Sequence, residues 1–143
     1  MSSTGLAVFD STIQETNRWL TSLLRRIGGE DRHRAYLVLR AGLHTLRDRL
    51  EVPAVAHLAA QLPMLIRGIF YEGWSPAHGS SKERHLPEFF EHFRSQLPPG
   101  MALNADHAVR AVFGVILEMI DPGEVQKVMG SLPRDLRELW VDH

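Results

Sequence analysis

Eight consecutive residues, Arg67-Gly68-Ile69-Phe70-Tyr71-Glu72-Gly73-Trp74, bring together a permanent cation, a carboxylate, a phenol and an indole beside glycines that allow close backbone approach. Such side chains can hold an anionic or aromatic ligand, which makes Arg67, Tyr71, Glu72 and Trp74 the candidate ligand-binding residues. The segment equally suits a structural part. Phe70 and Trp74 would then plug a seam between packed units, while Arg67 and Glu72 pair with each other or cap helix ends.

A second constellation is His85, Glu88 and His92, spaced i, i+3 and i+7. Imidazole and carboxylate together suit zinc or iron, so these three are the candidate metal ligands. They share one helix face only if the helix runs unbroken through Leu86-Pro87. A proline there restarts the helix and leaves Glu88 and His92 as the aligned pair, one ligand short of a metal site. His-Glu-x-x-His, the helical signature of hydrolytic zinc sites, does not occur. His44 and His57 sit among leucines and alanines, as befits boundary histidines with a single hydrogen bond.

Other chemistries lack their residues. There is no cysteine, so disulfides, thiolate metal sites and cysteine nucleophiles are excluded. No Gly-x-Gly-x-x-Gly, Gly-Lys-Ser/Thr or Gly-x-Ser-x-Gly occurs, and no cofactor is implied. Arg25, Arg26, Arg32, Arg34, Arg40, Arg47 and Arg49 make the first half locally basic, with residues 1–73 at +2 and 74–143 at −3. A DNA-reading helix after that basic stretch would be Ala54 to Gln61, which offers only His57 and Gln61 as polar readers. A net charge of −1 is likewise unsuited to a phosphate backbone. The residues therefore favour a small interaction or ligand-binding module, with a protein partner or a second copy of the chain as its counterpart. A metal-dependent protein or enzyme centred on His85, Glu88 and His92 is the alternative, and a nucleic-acid-associated regulator the second.

The elements that position these groups are legible as a repeat. Ala35, Val55, Leu62, Pro63 and Arg67 recur 70 positions on as Ala105, Val125, Leu132, Pro133 and Arg137. Leu39, Leu43, Leu46, Leu50 and Phe70 recur as Val109, Phe113, Ile116, Ile120 and Trp140. Glu72 pairs in the same way with Asp142. One helical unit is thus expected twice, each copy covering the apolar face of the other.

Apolar residues at three- and four-residue spacing predict a first helix from about Ser11 to Ile27, with Ser11 and Gln14 as a capping box and Gly28-Gly29 as its stop. A second follows Glu30-Asp31 and buries Tyr36, Leu39, Leu43, Leu46 and Leu50. A third starts at Pro53, and Leu62-Pro63 breaks the chain before a fourth that ends near Tyr71. In the second copy Ser81 stands where Ser11 stood, and Pro98-Pro99 replaces the glycine pair. Asn104 or Asp106 starts the next helix, Asp121-Pro122-Gly123-Glu124 starts another with Glu124 as its capping-box acid, and a last helix follows Pro133. The prediction is an all-α fold of two tandem pseudo-equivalent four-helix units, 1–73 and 74–143, packed into a single domain spanning 1–143.

The pattern resembles the prokaryotic family known as domain of unknown function 2267. The resemblance rests on Phe9-Asp10 with Glu15 and Trp19-Leu20, on Arg34-Ala35-Tyr36 with Leu39-Arg40 and Leu46-Arg47-Asp48, and on Gln61-Leu62-Pro63. It continues through Arg67-Gly68, Tyr71-Glu72-Gly73-Trp74, Leu132-Pro133 and Leu139-Trp140. It implies an all-helical domain of bacteria or archaea and brings no activity, cofactor or catalytic residue with it. With no basic leader and no run of about 18 apolar residues, a soluble cytoplasmic protein without membrane contact is expected.

Overall fold

A computed structural model describes residues 3–141. The chain is all-α, and among the described residues there are eight α-helices. They are α1 Ala7–Ile27, α2 Arg32–Arg49, α3 Val52–Ala59, α4 Met64–Tyr71, α5 Leu86–Ser95, α6 Ala105–Met119, α7 Pro122–Gly130 and α8 Arg134–Arg137. Short 3-10 turns follow at Pro76–His78, in the linker after α4, and at Glu138–Trp140, after α8.

The two central helices are α2 and α6. Each combines an apolar stripe with small residues, so that α2 buries Ala35, Val38, Leu39, Ala41, Gly42, Leu43 and Leu46, and α6 buries Ala105, Ala108, Val109, Ala111, Val112, Phe113 and Ile116. A helix with so wide a buried arc must lie inside the bundle. Contacts bear this out, with α1 packed on both α2 and α6, and α5 packed on both as well. At the crossing of the central pair a Cβ on Gly42 would lie 2.8 Å from both methyls of Val112. The missing side chain is what lets the two backbones approach.

Helix ends follow local chemistry. Asp31 accepts from the Arg34 amide at the start of α2, Asn104 from the His107 amide at the start of α6, and Asp121 from the Gly123 amide at the start of α7. Pro63 and Pro133 both take the N-cap position in an extended conformation, with ψ of 153° and 154°. After each proline an arginine turns back: Arg67 donates to the carbonyls of Ala59 and Leu62, and Arg137 to that of Leu132. These bonds satisfy carbonyls that a helix end leaves open.

Several ends differ from expectation. Helix α1 starts at Ala7, a turn before Ser11, because the Asp10 carboxylate reaches back to the Thr4 amide and hydroxyl, at 3.1 and 2.8 Å. Ser81 starts no helix: its amide donates to the Asp48 carbonyl at 2.6 Å, and α5 begins only at Leu86. Helix α5 also stops at Ser95, before Pro98-Pro99, so it spans 10 residues against the 21 of α1. Glu124 turns toward the His57 imidazole rather than back to its own helix start. Tyr36 is only half-buried, stacked on His33. Asp142 and His143 lie outside the described residues.

The aromatic core is asymmetric. Phe113 of α6 stacks face to face on Trp140, with centroids 4.1 Å apart, and meets Phe89 of α5 edge-on at 6.3 Å. Gly42→Ala is expected to destabilise the protein by about 1–2 kcal/mol in chemical denaturation, overpacking against Val112 outweighing the better helix propensity of alanine. Adding Val112→Ala to that variant should restore part of the loss.

Candidate functional site

The residues of the 67–74 segment part company in the structure. Arg67 is spent on the end of α3, as described above, and Glu72 pairs at the surface with Arg40, 2.8 Å away. The Arg40 hydrogen bond and charge hold the Glu72 carboxyl below its usual range. Phe70 is fully buried. Tyr71 and Trp74 stay together, both half-buried, with ring centroids 5.4 Å apart. Of the four candidates, Trp74 lines a cleft.

The histidine constellation also separates. His85 is the N-cap of α5, in extended conformation, because Pro87 restarts the helix. Its Nδ1 lies 2.8 Å from an Asp135 carboxylate oxygen, at the surface. Glu88 is exposed. His92 points elsewhere, between Glu83 and Asp48. Among the described residues no three His, Asp or Glu side chains converge as a metal-binding group. His85, Glu88 and His92 thus point apart, because His85 precedes the helix and His92 turns to Glu83 and Asp48.

What the fold assembles instead is a charged cluster that joins α2, α5 and the linker between α4 and α5. Arg47, only 5% exposed, donates to the carbonyls of Phe70 and Glu72 at 2.9 and 2.8 Å, and its guanidinium also holds Asp48 at 2.8 Å. It thereby closes the C-terminus of α4 from the end of α2. Asp48 faces His92 Nε2 at 3.3 Å, and His92 Nδ1 lies 2.5 Å from Glu83. The linker is fixed to the same end of α2 by further bonds. Ser81 donates to the Asp48 carbonyl, Arg49 to the Glu83 carbonyl, and Ser80 to Glu51.

A cleft of about 300 Å³ opens beside this cluster. It is lined by Trp74, Ser75, His78 and Ser80 of the linker and by Arg47, Asp48 and His92 of the cluster. The electrostatics agree with the geometry. The hydrogen bond to Asp48, helped by Glu83, raises the His92 imidazole above its ordinary value despite burial. Burial works to raise both Asp48 and Glu83, yet the hydrogen bonds from His92, and from Arg47 to Asp48, hold both carboxyls below their usual range.

Both nitrogens of His92 face carboxylates, an arrangement that favours the imidazolium, the form that can donate at each.

Residues seventy apart make the corresponding contact with different chemistry. Glu118 of α6, at the position matching Asp48, accepts from Ser22 of α1, the position matching His92, at 2.9 Å, and from Arg26 at 3.1 Å. The Ser22 and Arg26 hydrogen bonds hold Glu118 below its usual range.

The basic stretch is spent internally. Arg25 and Arg26 face Glu118, Arg32 donates to Asn17, Arg34 to the Ala102 carbonyl, Arg40 to Glu72, and Arg47 and Arg49 to the cluster. His44, buried in α2, donates from Nε2 to the Ile69 carbonyl at 2.7 Å, and burial lowers its imidazole below the ordinary value.

The model of the uncharacterised conserved protein family DUF2267 matches residues 16–139. The chain belongs to the DUF2267 family. No curated protein matches it. The span matched by DUF2267 takes in Arg47, Asp48, Trp74, Glu83 and His92, and so the whole cluster with its cleft. Of these, Arg47, Asp48 and Glu83 are absent from the sequence-derived candidates. Arg47 carried a signal: it lies four residues after Leu43 and three before Leu50, on the apolar face of α2, where a charge calls for a dedicated partner.

Arg47→Met leaves Asp48 and two carbonyls without their donor and is expected to cost about 3–5 kcal/mol in denaturant unfolding. Arg40→Met, at the exposed Glu72 pair, should cost less than about 1 kcal/mol. His44 and His92 should titrate on opposite sides of 6.5 in an imidazole NMR titration, His44 below and His92 above. The signs for stability follow by linkage. The His92 contribution is complete below 6.5 and disappears as pH rises through its raised value, whereas His44 costs stability as pH falls from 6.5 through its lowered one.

Proposed function

We propose that this protein is a small, non-catalytic ligand-binding module of the prokaryotic cytoplasm, built from a duplicated four-helix unit, and that the cleft beneath Trp74 is its binding site. The observation that carries this reading is the cleft itself. It lies where linker, α2 and α5 meet, lined by a half-buried indole and by charged groups already held by one another.

The chemistry of the walls favours a small planar ligand with polar edges. Trp74, backed by the Tyr71 ring, offers a face for stacking. Ser75, Ser80 and His78 offer hydrogen-bonding groups around the rim. A volume of about 300 Å³ suits a fragment-sized compound or one side chain of a partner protein.

Saturation-transfer NMR against a library of aromatic and heteroaromatic fragments is the test. Compounds that bind the native chain should lose affinity on the order of tenfold with Trp74→Ala, while the variant keeps its helical circular dichroism. Fragments that bind native and variant chains equally, or none binding at all, would remove the cleft as the site.

A further inference from the structure

We infer that His92 is a proton-operated clasp on the far end of the 73–85 linker: its imidazolium ties Glu83 to Asp48 and α5, and loss of the proton loosens that end of the linker beside the Trp74 cleft. This names the regulation of the site proposed above and rests on that reading for what the loosening alters. The loosening itself stands on the hydrogen-bond geometry.

The geometry is that of one ring between two carboxylates. Asp48 comes from α2, Glu83 from the linker and His92 from α5, so a single side chain connects three elements. Only an imidazolium donates at both nitrogens; a neutral ring carries one N–H and leaves one carboxylate facing a lone pair. The two carboxylates are not equally exposed to that loss. Asp48 keeps the Arg47 guanidinium, at 2.8 Å, whatever the state of the ring. Among the described residues His92 is the only cation within ion-pair distance of the Glu83 carboxylate. The linker side is therefore the one that is weakened, and there the Ser81, Arg49 and Ser80 bonds are left to hold it. Other charged groups about the ring are Arg49 of α2, bound to the Glu83 backbone, and His78 of the linker across the cleft.

The other half of the fold supplies the contrast. Glu118, seventy positions beyond Asp48, is held by the Ser22 hydroxyl and by the Arg26 guanidinium, with no imidazole in the contact. Of two corresponding carboxylates, one thus has a permanent clasp and the other a clasp that depends on a proton. Protonation of one histidine is an established means of switching an interface between pH 5 and 8.

The Ser81 amide, which donates to the Asp48 carbonyl, reports the state of the linker. Its hydrogen exchange, corrected for the intrinsic effect of pH, is to be followed by NMR alongside the His92 ring between about pH 5.5 and 8.5. We expect protection to fall by about tenfold with the same midpoint as the ring. Amides of α1 about Ser22 should stay unchanged. His92→Gln, with a neutral side chain, should give fast Ser81 exchange at every pH and erase the transition. Glu83→Gln should lower the midpoint of the ring and weaken the linker's response, and it serves if the first variant does not fold.

Ser81 protection that stays constant while His92 titrates would overturn the clasp, as would a His92 ring that remains neutral throughout. Fragment binding measured at both ends of the pH range separates the two readings. Loosening of the linker with no fragment binding at either end removes the binding site and leaves the clasp. Fragment binding lost in Trp74→Ala, with a motionless linker, does the reverse.

Discussion

The near contact of Gly42 with Val112 is the constraint on which the rest of the fold depends. Two helices that each bury a wide arc can both be central only if their backbones come close, and a hydrogen at the crossing point makes the room. With α2 and α6 joined there, α1 and α5 lie in the angles between them and each covers both. The ends of the central helices are then carried toward the linker on one side and toward Glu118 on the other. Every polar contact of the cluster inherits its position from that crossing.

Helix type and order were legible in the amino-acid pattern because apolar spacing is a direct imprint of burial. The Leu62-Pro63 and Leu132-Pro133 breaks, the Asp31, Asn104 and Asp121 caps and the stop at Gly28 could each be read from the residues present. Starts were less secure where two polar residues compete. Ser11 has the composition of a cap, but the Asp10 carboxylate accepts from the Thr4 amide and hydroxyl a turn earlier, and no local rule ranks one against the other. Ser81 failed as a helix start for a non-local reason, since its amide is claimed by the Asp48 carbonyl of α2.

The site was less legible than the scaffold. Proximity in sequence suggested that Arg67, Tyr71, Glu72 and Trp74 act together, yet one helical turn sends Arg67 to α3 and Glu72 to Arg40. The groups that do converge come from positions 47, 48, 83 and 92, and only the packing of α5 on α2 brings them within reach. His92 was marked by its neighbours in the sequence as a metal ligand. In the fold its neighbours are two carboxylates, one on each ring nitrogen, which favour the protonated imidazole over an electron-pair donor.

The crossed packing of α1 on α6 and of α5 on α2 has a bearing on how the chain could assemble with itself. Each half of the molecule is completed by a helix from the other, and the two halves are joined by one surface linker after α4. Cutting that linker would give two fragments, each with a central helix stripped of the cover it takes from the other, the condition for reassociation in trans. Straightening the linker instead would let α5 of one molecule dock on α2 of the next, an exchange that reproduces native contacts in a domain-swapped dimer. The bonds from Arg49, Ser80 and Ser81 that fold the linker down are therefore also what keeps the exchange within a single chain.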